Sequence, residues 1–203
     1  SGFLKTAAAI VLSPAFGFLF GVTLMIGVAW IWERSTPRRV DRFFNKMQFV
    51  SAAFYSMGHG SNDAQKTMGI IWMLLIAASV TGVDDPLPLW VVLSCQAAMG
   101  LGTLFGGWRI VKTMGMRITK LRPVSGFCAS ASGAATLLIA TSLGVPVSTT
   151  HTITGAIVGV GSVQKLSAVR WGVAGNIVWA WLFTIPCSAF VAAVAWWVAQ
   201  HYF

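Results

Sequence analysis

Six long apolar runs joined by short polar stretches leave this chain little choice but to fold in a lipid bilayer. Residues 6–32, 67–83, 88–107, 124–143, 146–163 and 171–199 are each, as helix, about long enough to cross ~30 Å of hydrocarbon. Only 9% of residues are charged and the mean hydropathy is +0.75, whereas a soluble domain carries about a quarter charged residues. The fold class expected is therefore all-α, a polytopic transmembrane helix bundle. The first run is too long for a signal-peptide core and lacks a small-residue cleavage site. The opening Ser1 in place of Met points to a fragment or a processed product.

The formal net charge of +9 is distributed in a way that excludes nucleic-acid binding. Arg34, Arg38, Arg39, Arg42 and Lys46 share one polar joint, Arg109, Lys112, Arg117, Lys120 and Arg122 a second, and Lys165 and Arg170 a third. This is a positive-inside pattern that sets these joints on the cytoplasmic face of the cell inner (plasma) membrane. The turn at Asp84-Asp85-Pro86 has no basic residue and belongs outside. Trp30 and Trp32 at one end, and Trp196, Trp197, Tyr202 and Phe203 at the other, are placed as interfacial anchors. Cys95, Cys128 and Cys187 show no metal-like spacing and read as small buried hydrophobes.

With these faces assigned, the first helix runs outside to inside, and residues 47–83 must cross an odd number of times. Their length exceeds one straight span. The expected solution is a half-helix over 47–57, a break over 58–62 and a helix from Asp63 onward. Residues 124–163 start and end inside, either as two full crossings or as a hairpin whose tip, 144–151, stops part-way; the hairpin is favoured. Most of that stretch is Gly, Ala, Ser or Thr, which suits close helix contact, and Gly155 and Gly159 form a small-xxx-small pair. From residue 47 onward the crossing count is odd, so the unit 47–203 can be duplicated with inverted topology, the plan of many secondary transporters. Residues 1–46 then form a first helix and basic loop that act as a connector. No second copy of either polar motif occurs in the chain, so the partner half is expected from a missing N-terminal half or from a second subunit.

Two polar motifs interrupt the apolar pattern. The first is Gly58-His59-Gly60-Ser61-Asn62-Asp63-Ala64-Gln65-Lys66, and Asp63 is the only acidic residue within the long spans. A carboxylate at membrane depth costs roughly 2.5–3.5 kcal/mol even on lenient scales, so it marks an ion, proton or substrate path. Ser61 or Asn62 can cap a helix beginning near Asp63. Carboxylate, amide and hydroxyl oxygens together suit a proton or a hard cation such as Na⁺, with no other metal site expected. Lys66, three residues on, shares the face of Asp63 and either pairs with it or offers a point charge to an oxyanion. The second motif is Ser148-Thr149-Thr150 after Pro146, where a helix readily begins. Its hydroxyls and free N–H groups suit a tetrahedral oxyanion, although Ser and Thr also bond back to their own helix. His59 and His151 adjoin the motifs as candidate proton relays or as satisfied buried histidines.

Together these motifs resemble the G-x-N-D and P-V-S-T-T-H elements of the inorganic phosphate transporter (PiT) family. The resemblance covers most of residues 47–199 and suggests the C-terminal half of a bacterial member, the family carrying both elements in each of two inverted halves. It implies a symporter that moves inorganic phosphate with a coupled cation, without an enzymatic step or resident cofactor. Asn62, Ser148, Thr149, Thr150 and Lys66 would then bind substrate, and Asp63, Asn62 and Ser61 would serve the cation. Gln65-Lys66 departs from the Ala-Asn pair of sodium-coupled members. That departure favours H⁺ over Na⁺, with phosphate travelling as the free anion or as a neutral metal complex.

The competing readings are a sulfate or other oxyanion permease of the same fold, a haem-binding redox subunit ligated by His59 and His151, and a passive structural subunit. The haem reading suffers because both histidines lie in Gly- or Ser/Thr-rich surroundings. A passive subunit has no use for Asp63 and Lys66. No nucleophile–base pair or phosphate-cradling P-loop is present in the sequence.

Overall fold

The computed structural model describes residues 2–202, with the side chains of residues 2–6, 109 and 202 left out. Lys5, Arg109 and Tyr202, as side chains, and all of Phe203 therefore lie outside the described residues. Every regular element among the described residues is helical. In chain order these are α1 (Gly2–Ile31), α2 (Pro37–Ala77), α3 (Leu89–Gly106), α4 (Trp108–Lys112), α5 (Pro123–Ser142), α6 (Thr149–Gln164) and α7 (Trp171–Tyr202). A π-helical turn, Thr113–Arg117, follows α4, and a short 3₁₀ turn, Leu166–Ala168, follows α6. Residues 1–169 form one unit and 170–203 a second, which is α7 by itself. Among the described residues, four helices are long and apolar enough to cross a membrane: α1, α3, α5 and α7.

Two sequence expectations fail in α2. The break over 58–62 does not exist, and 67–83 is not a separate span; one 41-residue helix runs unbroken from Pro37 to Ala77. Each glycine costs a helix about 1 kcal/mol. Opening the backbone where water is scarce costs several kcal/mol for every unpaired group, so the helix persists. Gly58 is used for packing instead: a Cβ there would meet the Leu137 side chain at 3.3 Å. The continuous helix also absorbs the first basic joint, since Arg38, Arg39, Arg42 and Lys46 ride on its opening turns. Trp32 packs its ring 5.0 Å from that of Phe43, on the opening turns of α2. Cys95 and Cys128 are buried as expected, whereas Cys187 is exposed on the apolar surface of α7, where Trp196 and Trp197 also lie.

The unit 1–169 is organised by two parallel helix pairs. Along α2 and α5 the contacts step forward together: Phe44 with Phe127, Tyr55 with Gly133, Gly58 with Leu137 and Asn62 with Thr141. Along α1 and α6 the seam is backbone on backbone. A Cβ on Gly17 would run into the Thr152 carbonyl, one on Gly21 would sit 2.7 Å from the Ala156 oxygen, and Cβ atoms on Gly155 and Gly159 would strike the Pro14 and Phe18 carbonyls. The expected small-xxx-small pair thus has a matching pair on α1, the arrangement by which membrane helices gain packing energy.

The hairpin of α5 and α6 is present as expected. Gly144, at φ +64, ends α5 in a Schellman turn, its N–H bonding Thr141 O while Val145 N–H bonds Ala140 O. Ser148 then caps α6 by accepting the His151 N–H at 3.4 Å. Buried hydroxyls of the hairpin bond back to their own helices, Ser132 to Cys128 O and Thr136 to Ser132 O on α5, and Thr154 to Thr150 O on α6. The tip lies beside residues 63–66 of α2, and Ala77 ends that helix eleven residues further on, about 17 Å along its axis. At 16 residues, α6 spans about 24 Å, short of a full crossing.

Candidate functional site

Because α2 is unbroken, Tyr55, His59, Asp63 and Lys66 fall on one stripe at steps of four, four and three residues. That stripe faces the hairpin tip. The Lys66 ammonium lies 2.9 Å from Asp63 Oδ1 and donates to the Val147 carbonyl at 3.0 Å. The Thr149 hydroxyl donates to Asp63 Oδ2 at 3.1 Å, and His59 Nδ1 stands 3.5 Å from the same oxygen. Tyr55 stacks on His59 with ring centroids 6.1 Å apart, and its hydroxyl donates to the Thr149 carbonyl at 3.4 Å. Asp63 therefore sits in mid-helix, not at the helix start expected for it. Among the described residues, only one helix N-terminus, that of α6, meets the cluster.

Beside this cluster opens a cavity of about 200 Å³ lined by Asn62, Gln65, Lys66, Thr141, Gly144, Val145 and Pro146. That is room for several waters, and so for a tetrahedral oxyanion with part of its hydration. Asn62 is buried at 5% exposure. Its amide nitrogen donates to the Thr141 hydroxyl at 3.5 Å, while its Oδ1 has no protein partner. Lys66 has spent two of its three donors on Asp63 and Val147, leaving one for a ligand. The cavity thus offers amide, hydroxyl and ammonium groups to an anion, with Asp63 opposing it.

Of the remaining candidates, Ser148 spends its hydroxyl on capping α6, and Thr150 is exposed with its carbonyl holding Thr154. Ser61 is turned about 200° from Asp63 around α2, so the two do not share a face. The His151 ring hydrogen-bonds the backbone of Ile10. Pro14, lacking an N–H, leaves the Ile10 carbonyl without its helical donor, and His151 supplies one. Among the described residues, no group of three or more His, Cys, Asp or Glu side chains is placed to hold a metal ion. A sodium ion set on Asp63 beside Lys66 would bring two unit positive charges within about 4 Å, a repulsion of about 4 kcal/mol at an effective dielectric of ~20.

Sequence reasoning missed Tyr55, Gln65 and Thr141. Tyr55 was legible: it stands four residues before His59 and eight before Asp63, a helical period hidden by the assumed break. Thr141 carried no such signal within its Ser/Thr-rich helix.

The model of the Phosphate transporter family matches residues 1–192. The chain belongs to that family. Among its relatives, a probable low-affinity inorganic phosphate transporter of Rhizobium meliloti (strain 1021) is 59% identical over 199 residues, covering 98% of this chain and 60% of that protein. One of the same description from Bacillus subtilis (strain 168) is 43% identical over 202 residues, covering 100% and 61%. A solved structure described as the sodium-dependent phosphate transporter superposes with a TM-score of 0.71 at 34% identity, covering 81% of this chain and 42% of that one. The chain thus spans about 60% of the length of the two curated relatives. Membership in this family agrees with the resemblance read from the two motifs. The sulfate and haem readings gain nothing from these matches.

Proposed function

We propose that this chain handles substrate and coupling ion in a symporter that moves inorganic phosphate across the cell inner (plasma) membrane. The observation that carries the reading is the meeting of Asp63, Lys66 and Thr149, with Lys66 also lining the 200 Å³ cavity beside them. Phosphate would enter beside Asn62, Gln65 and Thr141 and take the free donor of Lys66, with Thr149, Thr150 and Ser148 supplying hydroxyls as the tip rearranges. Asp63 opposes an incoming anion and holds the ammonium the anion needs. A proton on Asp63 removes the opposing charge and loosens Lys66 toward the phosphate. Each of the two ligands then favours the other, and that reciprocity is what coupling requires. His59, whose Nδ1 stands 3.5 Å from Asp63 Oδ2, would deliver the proton, with Asn62 completing the coupling region.

In this reading residues 47–203 are the repeat unit, and 1–46 a connector docked on α6 through glycine contacts. An inverted partner half comes from the rest of the protein or from a second subunit. Protons are favoured over Na⁺ because Lys66 already neutralises Asp63. Phosphate carried as a metal complex would reach the cavity with less charge to oppose Asp63. The test is uptake of labelled phosphate into cells making the intact protein. Asp63→Asn and Thr149→Ala are each expected to cut uptake tenfold or more, about 1.4 kcal/mol. Wild-type rates in both variants, at equal membrane abundance, would overturn the assignment.

A further inference from the structure

The stretch that joins α3 to α5 is basic and largely bare. Residues 108–122 include Arg109, Lys112, Arg117, Lys120 and Arg122 and no acidic residue. Lys112, Arg117, Lys120 and Arg122 are exposed, and among the described residues the ion pairs are all at Asp63, on α2. Apolar side chains stand between these charges: Trp108 is 80% exposed, and Ile110, Val111 and Met116 are exposed with it. The stretch begins where α3, a candidate membrane span of 18 residues, ends at Gly106. The positive-inside pattern sets that end on the cytoplasmic side, at the depth where tryptophan and basic side chains meet lipid headgroups. The inner side of the stretch is fastened to α6. Met114 accepts the Thr154 hydroxyl at 3.7 Å, Ile118 is fully buried, and a Cβ on Gly161 would meet the Thr119 side chain at 3.3 Å. The charges therefore ride on a docked segment, not on a loose loop.

We infer that residues 108–122 are a cytoplasmic docking surface for anionic phospholipid, with the basic side chains on its headgroup phosphates and the apolar ones at the acyl border. A cluster of basic residues directly after a membrane span is the arrangement that recruits anionic lipid. Ammonium and guanidinium groups donate charge-assisted hydrogen bonds to phosphate oxygens, while tryptophan and aliphatic side chains lie in the layer beneath. The charges favour lipid over the rest of the protein as the occupant, because lysine is depleted where protein surfaces meet. Lipid held here would also brace the attachment to α6 and so raise the stability of the fold. The inference rests on the membrane-spanning reading of α3 and not on what the protein carries.

The experiment titrates the intact protein, purified in a neutral detergent at low salt, with phosphatidylglycerol or with phosphatidylcholine while its melting temperature is followed. Wild type should show a saturable rise with phosphatidylglycerol alone, and the rise should shrink as salt is added. Each basic side chain at an anionic surface strengthens binding roughly fivefold, so the triple variant Lys112→Gln, Arg117→Gln, Lys120→Gln should need at least about tenfold more phosphatidylglycerol for the same rise. The double variant Lys112→Arg, Lys120→Arg keeps the charge and should behave as wild type. If the triple variant fails to fold, Lys112→Gln and Arg117→Gln replace it singly, each needing about fivefold more lipid. Equal responses to the two lipids, or a triple variant that matches wild type, would overturn the inference. So would loss of the phosphatidylglycerol response in millimolar inorganic phosphate at constant ionic strength, which would make this a site for a free anion. A wild type with no response to either lipid would overturn it as well, by showing that the rest of the protein covers this face.

Discussion

Replacing Gly155 by alanine tests how the site is held. A Cβ at this position would strike the Pro14 carbonyl of α1, and Gly17, on the facing helix, packs on the Thr152 carbonyl of α6. Backbone meets backbone on both sides, so no side chain can swing aside and the helices must separate. Overpacking of this kind costs about 1–3 kcal/mol. The rigidity of the seam favours the upper end, while alanine regains up to about 1 kcal/mol of helix propensity. A net loss of about 2 kcal/mol follows, which for a chain of this size lowers the melting temperature by roughly 4–8 °C. Gly100→Ala on α3 is the control: nothing lies within 4 Å of its added Cβ, so it should hold or raise stability. Because α6 carries Thr149 at its first turn, Gly155→Ala should also slow phosphate uptake, whereas Gly100→Ala should not. Equal melting of the two variants in the intact protein would refute the close α1–α6 seam.

His151→Phe should destabilise the protein by about 1–3 kcal/mol, because it leaves the Ile10 carbonyl opposite Pro14 without a donor. Unchanged melting would show that this carbonyl finds another partner. Ser79 ends α2 at φ +57, where a Cβ is strained, so Ser79→Gly should raise stability by about 1 kcal/mol, read as a higher melting temperature.

Much of this fold was legible because membrane helices must satisfy their own backbone. The limits of α3, α5 and α7 fall within a few residues of the apolar runs, and Ser148 after Pro146 marked the start of α6. The approach of the Asp63 motif to the Ser148–Thr149 tip was also foreseeable, since two costly polar groups in one bilayer gain by meeting. The course of α2 was not. Glycine is equally at home in a break and in a tight helix contact, and only the partner side chain, Leu137 beside Gly58, tells the two apart. The false break cost the reading Tyr55, whose helical phase with Asp63 is plain once the helix is continuous. The partner of the Gly155 pair lay on the first helix, more than a hundred residues away, where no local pattern points.

The central claim is that Asp63 and the hairpin tip act as one site on phosphate. A double-mutant cycle on labelled-phosphate uptake by the intact protein, with Asp63→Asn, Thr149→Ala and their combination, tests it most directly. Residues that act as a unit are non-additive, so the double variant should be no slower than the slower single. Losses that multiply would show two independent contributions, and wild-type uptake in Asp63→Asn would remove the carboxylate from the mechanism altogether.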